Sequence, residues 1–145
     1  MSRKTFALAL QGGGSHGAYT WGVLDRLLED DGVDIVGLSG ASAGAVNATV
    51  LASGYAAGGR EGAREALGAF WKAISSTPYS IGTTAHAERP DPTAQAYLFL
   101  TRFFSPVQLN PLNINPLRDI LEKHIDFERV REAEGMKLLD RKSVV

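Results

Sequence analysis

Asp34-Ile35-Val36-Gly37-Leu38-Ser39-Gly40-Ala41-Ser42-Ala43-Gly44 is the stretch on which the fold turns. Its first part, Asp34 to Ser39, is short and apolar and reads as a strand, with the turn residues Asp30-Asp31-Gly32 before it. Gly40 then starts a sharp turn, and small and apolar residues from Ala43 to about Ser53 support a helix able to pack closely on a sheet. Upstream, Thr5-Phe6-Ala7-Leu8-Ala9-Leu10 is another short apolar run, closed by three glycines, and reads as a buried strand of the parallel type. Between the two strands, residues 16–29 read as an amphipathic helix with Ala18, Trp21, Leu24, Leu27 and Leu28 on one face. Strand, helix, strand, helix in this rhythm predicts an α/β fold: a parallel sheet with flanking helices.

Downstream, the glycine- and alanine-rich residues 54–62 read as a loop and residues 63–74 as a further helix. Residues 75–92 carry turn formers and three prolines and read as irregular. Tyr97-Leu98-Phe99-Leu100 with Phe103-Phe104 is an apolar helical stretch, favoured as core, with a lipid-facing or acyl-pocket role as the alternative. Asn115 before Pro116 predicts a helix start, with Leu117, Ile120, Leu121 and His124 on one stripe. Asp126 is the expected cap of a second short helix, and residues 136–139 the expected start of a third strand.

The bulk properties set bounds. At 145 residues the chain fits one domain at most. A formal net charge of -1 gives no electrostatic footprint for nucleic acid. Cysteine is absent, which excludes disulfides and thiolate metal sites. The apolar run after Met1-Ser2-Arg3-Lys4 stops at Gln11-Gly12, too short for the core of a signal peptide, and no run has the length of a membrane span. The expectation is a cytoplasmic protein, with peripheral contact to a membrane as the other possibility. No clustered His/Asp/Glu pattern suggests a metal, and no cofactor is called for.

Two motifs carry chemistry. Gly40-Ala41-Ser42-Ala43-Gly44 is G-x-S-x-G, and between a strand and a helix it forces the serine into a strained, exposed position. The N–H groups and positive dipole end of the following helix favour negative charge on the serine oxygen. The competing reading is a tight packing turn with an inert serine. Gly12-Gly13-Gly14-Ser15-His16-Gly17 matches G-x-G-x-x-G, a pattern that also opens dinucleotide-binding folds. Such a site needs a carboxylate at the far end of the second strand; here that strand ends Leu38-Ser39-Gly40, and Asp34 is at its other end. A Rossmann-type oxidoreductase is thus the rival of another class. The same glycines also suit an oxyanion hole, and in a parallel sheet both loops emerge at the carboxyl ends of their strands.

Leu10-Gln11-Gly12-Gly13-Gly14-Ser15-His16-Gly17-Ala18-Tyr19, followed by Gly40-Ala41-Ser42-Ala43-Gly44, resembles the patatin-like phospholipase family. Asn113-Ile114-Asn115-Pro116-Leu117-Arg118 is similar to its bacterial branch. The resemblance covers most of residues 4–138 and implies a three-layer patatin-like fold. It implies Ser42 as nucleophile, Gly12, Gly13 and Gly14 as the oxyanion hole, and Gly40 and Gly44 as the glycines of the nucleophile elbow. It implies a phospholipid or other lipid ester as substrate. Two departures stand out. The family usually carries Arg or Lys where this chain has His16, and its general base is an Asp in a downstream Asp-Gly, which does not occur after Ser42.

The Asp-Gly that does occur, Asp31-Gly32, is separated from the nucleophile turn by a strand of roughly 20 Å at about 3.3 Å per residue, and reads as a helix-to-strand turn. A Ser–His–Asp triad through Asp119 and His124 requires both on one short helix, an arrangement that does not stack into a relay. His86 reads as a loop residue. The closing residues, Asp140-Arg141-Lys142-Ser143-Val144-Val145, do not resemble the family's continuation. The expectation is therefore the N-terminal portion of a single patatin-like domain over residues 1–145, incomplete at its C-terminus before the catalytic Asp. The expected function is serine-dependent lipid acyl hydrolysis through an acyl-enzyme, with an inactive lipid- or partner-binding fragment as the alternative.

Overall fold

The computed structural model describes residues 3–76, 116–132 and 136–140. Within them the chain runs through β1 (Lys4–Leu10), a 3-10 turn (Gly14–His16), α1 (Gly17–Glu29), β2 (Val33–Gly40), α2 (Ala43–Ser75), α3 (Pro116–His124), α4 (Phe127–Glu132) and β3 (Lys137–Asp140). The three strands form one parallel sheet in the order β1-β2-β3. The α/β fold with a parallel sheet and flanking helices read from the sequence is the fold observed. The expected stretches 75–92 and 97–104, apart from Ser75 and Ser76 at the end of α2, lie outside the described residues, as does Asn115.

The α1–β2 turn follows from its residues. The Asp30 carboxylate accepts from Gly32 N–H at 2.8 Å, and Val33 N–H returns to the Asp30 carbonyl at 3.0 Å. That Asx turn reverses the chain so that β2 starts beside β1. β1 pairs with β2 from Lys4↔Val33 to Leu10↔Gly40, with a register shift between Phe6 and Ala7 that leaves Val36 without a β1 partner. On the far side, β3 pairs from Gly37↔Lys137 to Gly40↔Asp140.

Leu24 and Leu28 of α1, Ile35 and Leu38 of β2, and Val50, Leu51, Leu67 and Phe70 of α2 form one core, joined by Ile125 and Met136. Each such side chain, fully buried, contributes about 1.5–3 kcal/mol relative to exposure. The helical stripe of α1 differs in detail from the sequence reading. Its buried residues are Gly17, Leu24 and Leu28, while Ala18 is exposed beside Tyr19 and Val23.

Two expectations are corrected. β1 is a strand but not a buried one: Phe6 is 41 % exposed, and Leu8 and Leu10 are half-buried. It is the edge of the described sheet, with a single strand neighbour. The loop expected at residues 54–62 is also much smaller. α2 continues through this segment, and non-helical backbone is confined to Gly58 (φ -153, ψ 27) and Gly59 (φ 62, ψ -144). Gly59 provides the left-handed step that L side chains avoid. Gly54 and Gly62 have another use. A Cβ on Gly62 would lie 2.5 Å from the Gly54 carbonyl oxygen, and one on Gly54 would meet Ala66 Cβ at 2.7 Å. Residues this far apart along a straight helix are separated by about 12 Å, so the two halves of α2 bend back upon each other and touch through bare backbone.

Arg60, just past the bend, donates to the carbonyls of Leu27, Leu28, Asp30 and Val33. It fastens the end of α1 and the start of β2 to α2. Asp126 caps α4 as expected, its carboxylate accepting from Arg129 N–H at 3.0 Å, while its own N–H donates to Ser53 Oγ at 3.1 Å. Val36 and Leu139 remain exposed, Leu139 at 68 %.

Candidate active site

β2 delivers the chain into a turn that glycine alone can make. A Cβ on Gly40 would strike the backbone of Gly44 and Ala45, and one on Gly44 would strike the Leu10 carbonyl and lie 2.8 Å from Gln11 O. α2 therefore starts hard against the carboxyl ends of β1 and β2. Within this turn Ser42 adopts φ 53, ψ -125, the sole positive φ of a non-glycine among the described residues. Such a conformation costs on the order of 1–3 kcal/mol and persists when the surroundings over-determine it. Here they do: Ala41 N–H donates to Leu10 O at 3.3 Å, Gly44 N–H to Ala41 O at 3.0 Å and Val46 N–H to Ser42 O at 3.1 Å. The Ser42 side chain is exposed and makes no capping bond to its own helix. Its hydroxyl stands at the N-terminus of α2, where free N–H groups and the helix dipole favour negative charge.

The glycine loop lies against this turn. A Cβ on Gly12 would be 2.8 Å from Ala41 O and 3.1 Å from Ser42 Cβ. Gly13 (φ 153) and Gly14 (φ 57) take left-handed conformations that carry the loop into the 3-10 turn. His16 closes it, both its backbone N–H (3.1 Å) and its ring Nδ1 (3.0 Å) reaching Gly13 O. A carbonyl only accepts, so Nδ1 carries the hydrogen. Across the planar trans peptide, fixing Gly13 O toward His16 turns the Gly14 N–H to the opposite side. Gly12, Gly13 and Gly14 N–H find no acceptor among the described residues.

The strand-turn-helix elbow, its strained serine and the glycine loop pressed against it coincide with a match along the chain. A family model described as patatin-like phospholipase matches residues 8–139. The chain belongs to the patatin-like phospholipase family. No curated protein and no solved structure matches it. Membership gives this patatin-like chain its chemical class, lipid acyl hydrolysis, and its substrate class, lipid esters.

The other sequence candidates of this patatin-like chain lie elsewhere. His124, at the end of α3, packs edge-on against Phe70 with ring centroids 6.4 Å apart. The same α3–α4 turn is bonded to Ser53, which lies down α2 from Ser42 by roughly 16 Å at about 1.5 Å per residue. Asp119 is exposed on α3. No group of three or more His, Cys, Asp or Glu able to hold a metal occurs among the described residues, and no described helix is long and apolar enough to cross a membrane.

Asn47 and Trp71 lie outside both glycine motifs. Asn47 is fully buried, and Trp71 Nε1 donates to its Oδ1 at 2.8 Å. The available signal was one amide in an otherwise small and apolar helical run.

Proposed function

We propose that Ser42 of the patatin-like chain is the nucleophile that cleaves a phospholipid or other lipid ester, met at a membrane surface without spanning it. The observation that carries the reading is the backbone of Ser42, at φ 53 on a strand-to-helix turn with the glycine loop beside it. Ser42 Oγ attacks the ester carbonyl carbon as its proton passes to a base, forming the C–O bond of a tetrahedral intermediate. The N–H groups of Gly12, Gly13 and Gly14 supply the oxyanion hole, and the α2 N-terminus adds its dipole. Collapse expels the alcohol portion of the lipid, which takes up a proton, and leaves an acyl-enzyme. Water then adds to the acyl carbon, and the fatty acid leaves as Ser42 regains its hydrogen.

The base is the unassigned part, because no Asp-Gly follows Ser42 in the sequence. Lipid or partner binding without turnover is the alternative. A fluorophosphonate probe tests the reading. It is expected to label Ser42 alone, with the adduct located by mass mapping and absent in Ser42→Ala. An adduct on a different serine, or equal labelling of Ser42→Ala, removes the assignment. Lipid binding by a chain whose Ser42 stays unlabelled selects the non-catalytic alternative.

A further inference from the structure

We propose that Asn47 is a positioning residue: it locks the glycine loop to the nucleophile helix through a Trp71–Asn47–Gly17 hydrogen-bond relay. The proposal rests on the reading of Ser42 as nucleophile and the glycine loop as oxyanion hole.

Asn47 lies just over one helical turn beyond Ser42 on α2 and is 0 % exposed. Its Nδ2 donates to the carbonyl of Gly17 at 2.9 Å, and its Oδ1 accepts from Trp71 Nε1 at 2.8 Å. An indole N–H only donates, so Trp71 dictates which end of the amide is oxygen and turns the NH2 toward Gly17. Gly17 directly follows His16, the residue that closes the glycine loop on Gly13. The relay therefore ties the downstream end of the loop to the helix that carries Ser42.

Packing at the same point supports the relay independently. A Cβ on Gly17 would meet the Trp71 ring at 2.9 Å and Ala43 Cβ at 3.0 Å. Ala43 is the neighbour of Ser42, so the start of α1 is wedged between the elbow and the indole that orients Asn47. The loop is thus held at both ends: Gly12 against Ala41 and Ser42, and Gly17 against Ala43, Asn47 and Trp71. Gly17 O lies in the first turn of α1, and a carbonyl can accept two hydrogen bonds, so the Asn47 bond adds position and is not needed to satisfy the helix. Donors to a developing oxyanion act through fixed placement, and an error of about 1 Å costs on the order of 100-fold in rate.

The test uses the full chain and an alkyl fluorophosphonate, which forms a bond from Ser42 Oγ to phosphorus and releases fluoride. The concentration dependence of labelling separates probe affinity (Ki) from the maximal rate (kinact). Asn47→Leu should lower kinact by roughly 10- to 100-fold while Ki shifts by about twofold or less. Trp71→Phe keeps the Asn47–Gly17 bond but frees the amide to rotate, and should lower kinact by a smaller factor. It also carries the test alone if Asn47→Leu does not fold, with circular dichroism and the thermal midpoint as folding controls. Wild-type kinact in a folded Asn47→Leu, or in Trp71→Phe when that variant stands alone, overturns the positioning role and leaves the nucleophile reading intact. An unmodified chain that never labels at Ser42 removes the nucleophile reading, and this proposal with it.

Discussion

Ser42 sits at φ 53, ψ -125 because Gly40 and Gly44 let α2 start against the ends of β1 and β2, where other residues would clash. The glycines of the loop beside it are equally constrained. Gly13 combines φ 153 with a Cβ position 3.3 Å from His16 Cβ, so valine there is both strained and crowded. Gly13→Val should therefore lose about 2.7–4 kcal/mol of transition-state stabilisation, the scale of one oxyanion donor. The check is the maximal rate of Ser42 phosphonylation, with a thermal melt alongside. Full reactivity in a folded Gly13→Val variant would show that the loop serves packing alone. His16 is tied to the loop that it closes. Its Nδ1 hydrogen is donated to Gly13 O at 3.0 Å.

α2 is the element that organises the others, and its bend at Gly58–Gly59 determines what it can reach. The bend brings Arg60 under the end of α1, where the final carbonyls of a helix lack intrahelical donors. The guanidinium supplies donors to Leu27 and Leu28, and also to Asp30 and Val33 in the following turn and strand. Arg60→Met keeps the apolar stem and removes those donors. It should lower stability by about 2–4 kcal/mol in urea unfolding, since hydrogen bonds to charged groups contribute roughly 1.5–3 kcal/mol and carbonyls are left unpaired. Arg60→Lys should recover only part of the loss, because an ammonium cannot reproduce the planar fork. Stability unchanged in Arg60→Met would mean that water replaces the guanidinium without cost. The surface ion pairs of Arg64 with Asp25 and Glu29 join the same two helices, and its pair with Glu61 lies within α2, but surface pairs of this kind contribute about 0–1 kcal/mol.

Across the whole molecule, the described residues bring Ser42, the N-terminus of α2 and the glycine loop together at the carboxyl end of the sheet. The 145-residue chain should nevertheless show little or no ester turnover, because turnover needs a base to take the Ser42 proton and then activate water. Oxyanion stabilisation can leave a residual rate when a base is missing. The measurement compares the chain with Ser42→Ala on a phospholipid and on a short p-nitrophenyl ester. Robust Ser42-dependent turnover would overturn the missing-base argument and direct attention to Asp140. Its backbone pairs with Gly40 at the carboxyl end of the sheet, whereas Asp126 is committed to capping α4.

The order of elements and the turns at both glycine motifs can be read from the residues alone, because these depend on local chemistry. A short apolar run ending in glycine makes a strand, Asp30-Asp31-Gly32 makes a turn, and Asp126 before a polar helix makes a cap. The strained turn at Ser42 is likewise local, since G-x-S-x-G between strand and helix leaves few other conformations. Tertiary structure decided the rest. Periodicity tells which side of β1 is apolar but not that β1 lies at the edge of the described sheet, half in solvent. Glycine-rich composition in residues 54–62 suits a loop as well as a bent helix, and the Gly54–Gly62 contact selects the helix. The Asn47–Gly17, Trp71–Asn47 and Arg60–α1 bonds join residues far apart in the chain, so no local pattern announces them. They exist because packing α1 on α2, and the two arms of α2 on each other, buries polar groups that must find partners across those contacts.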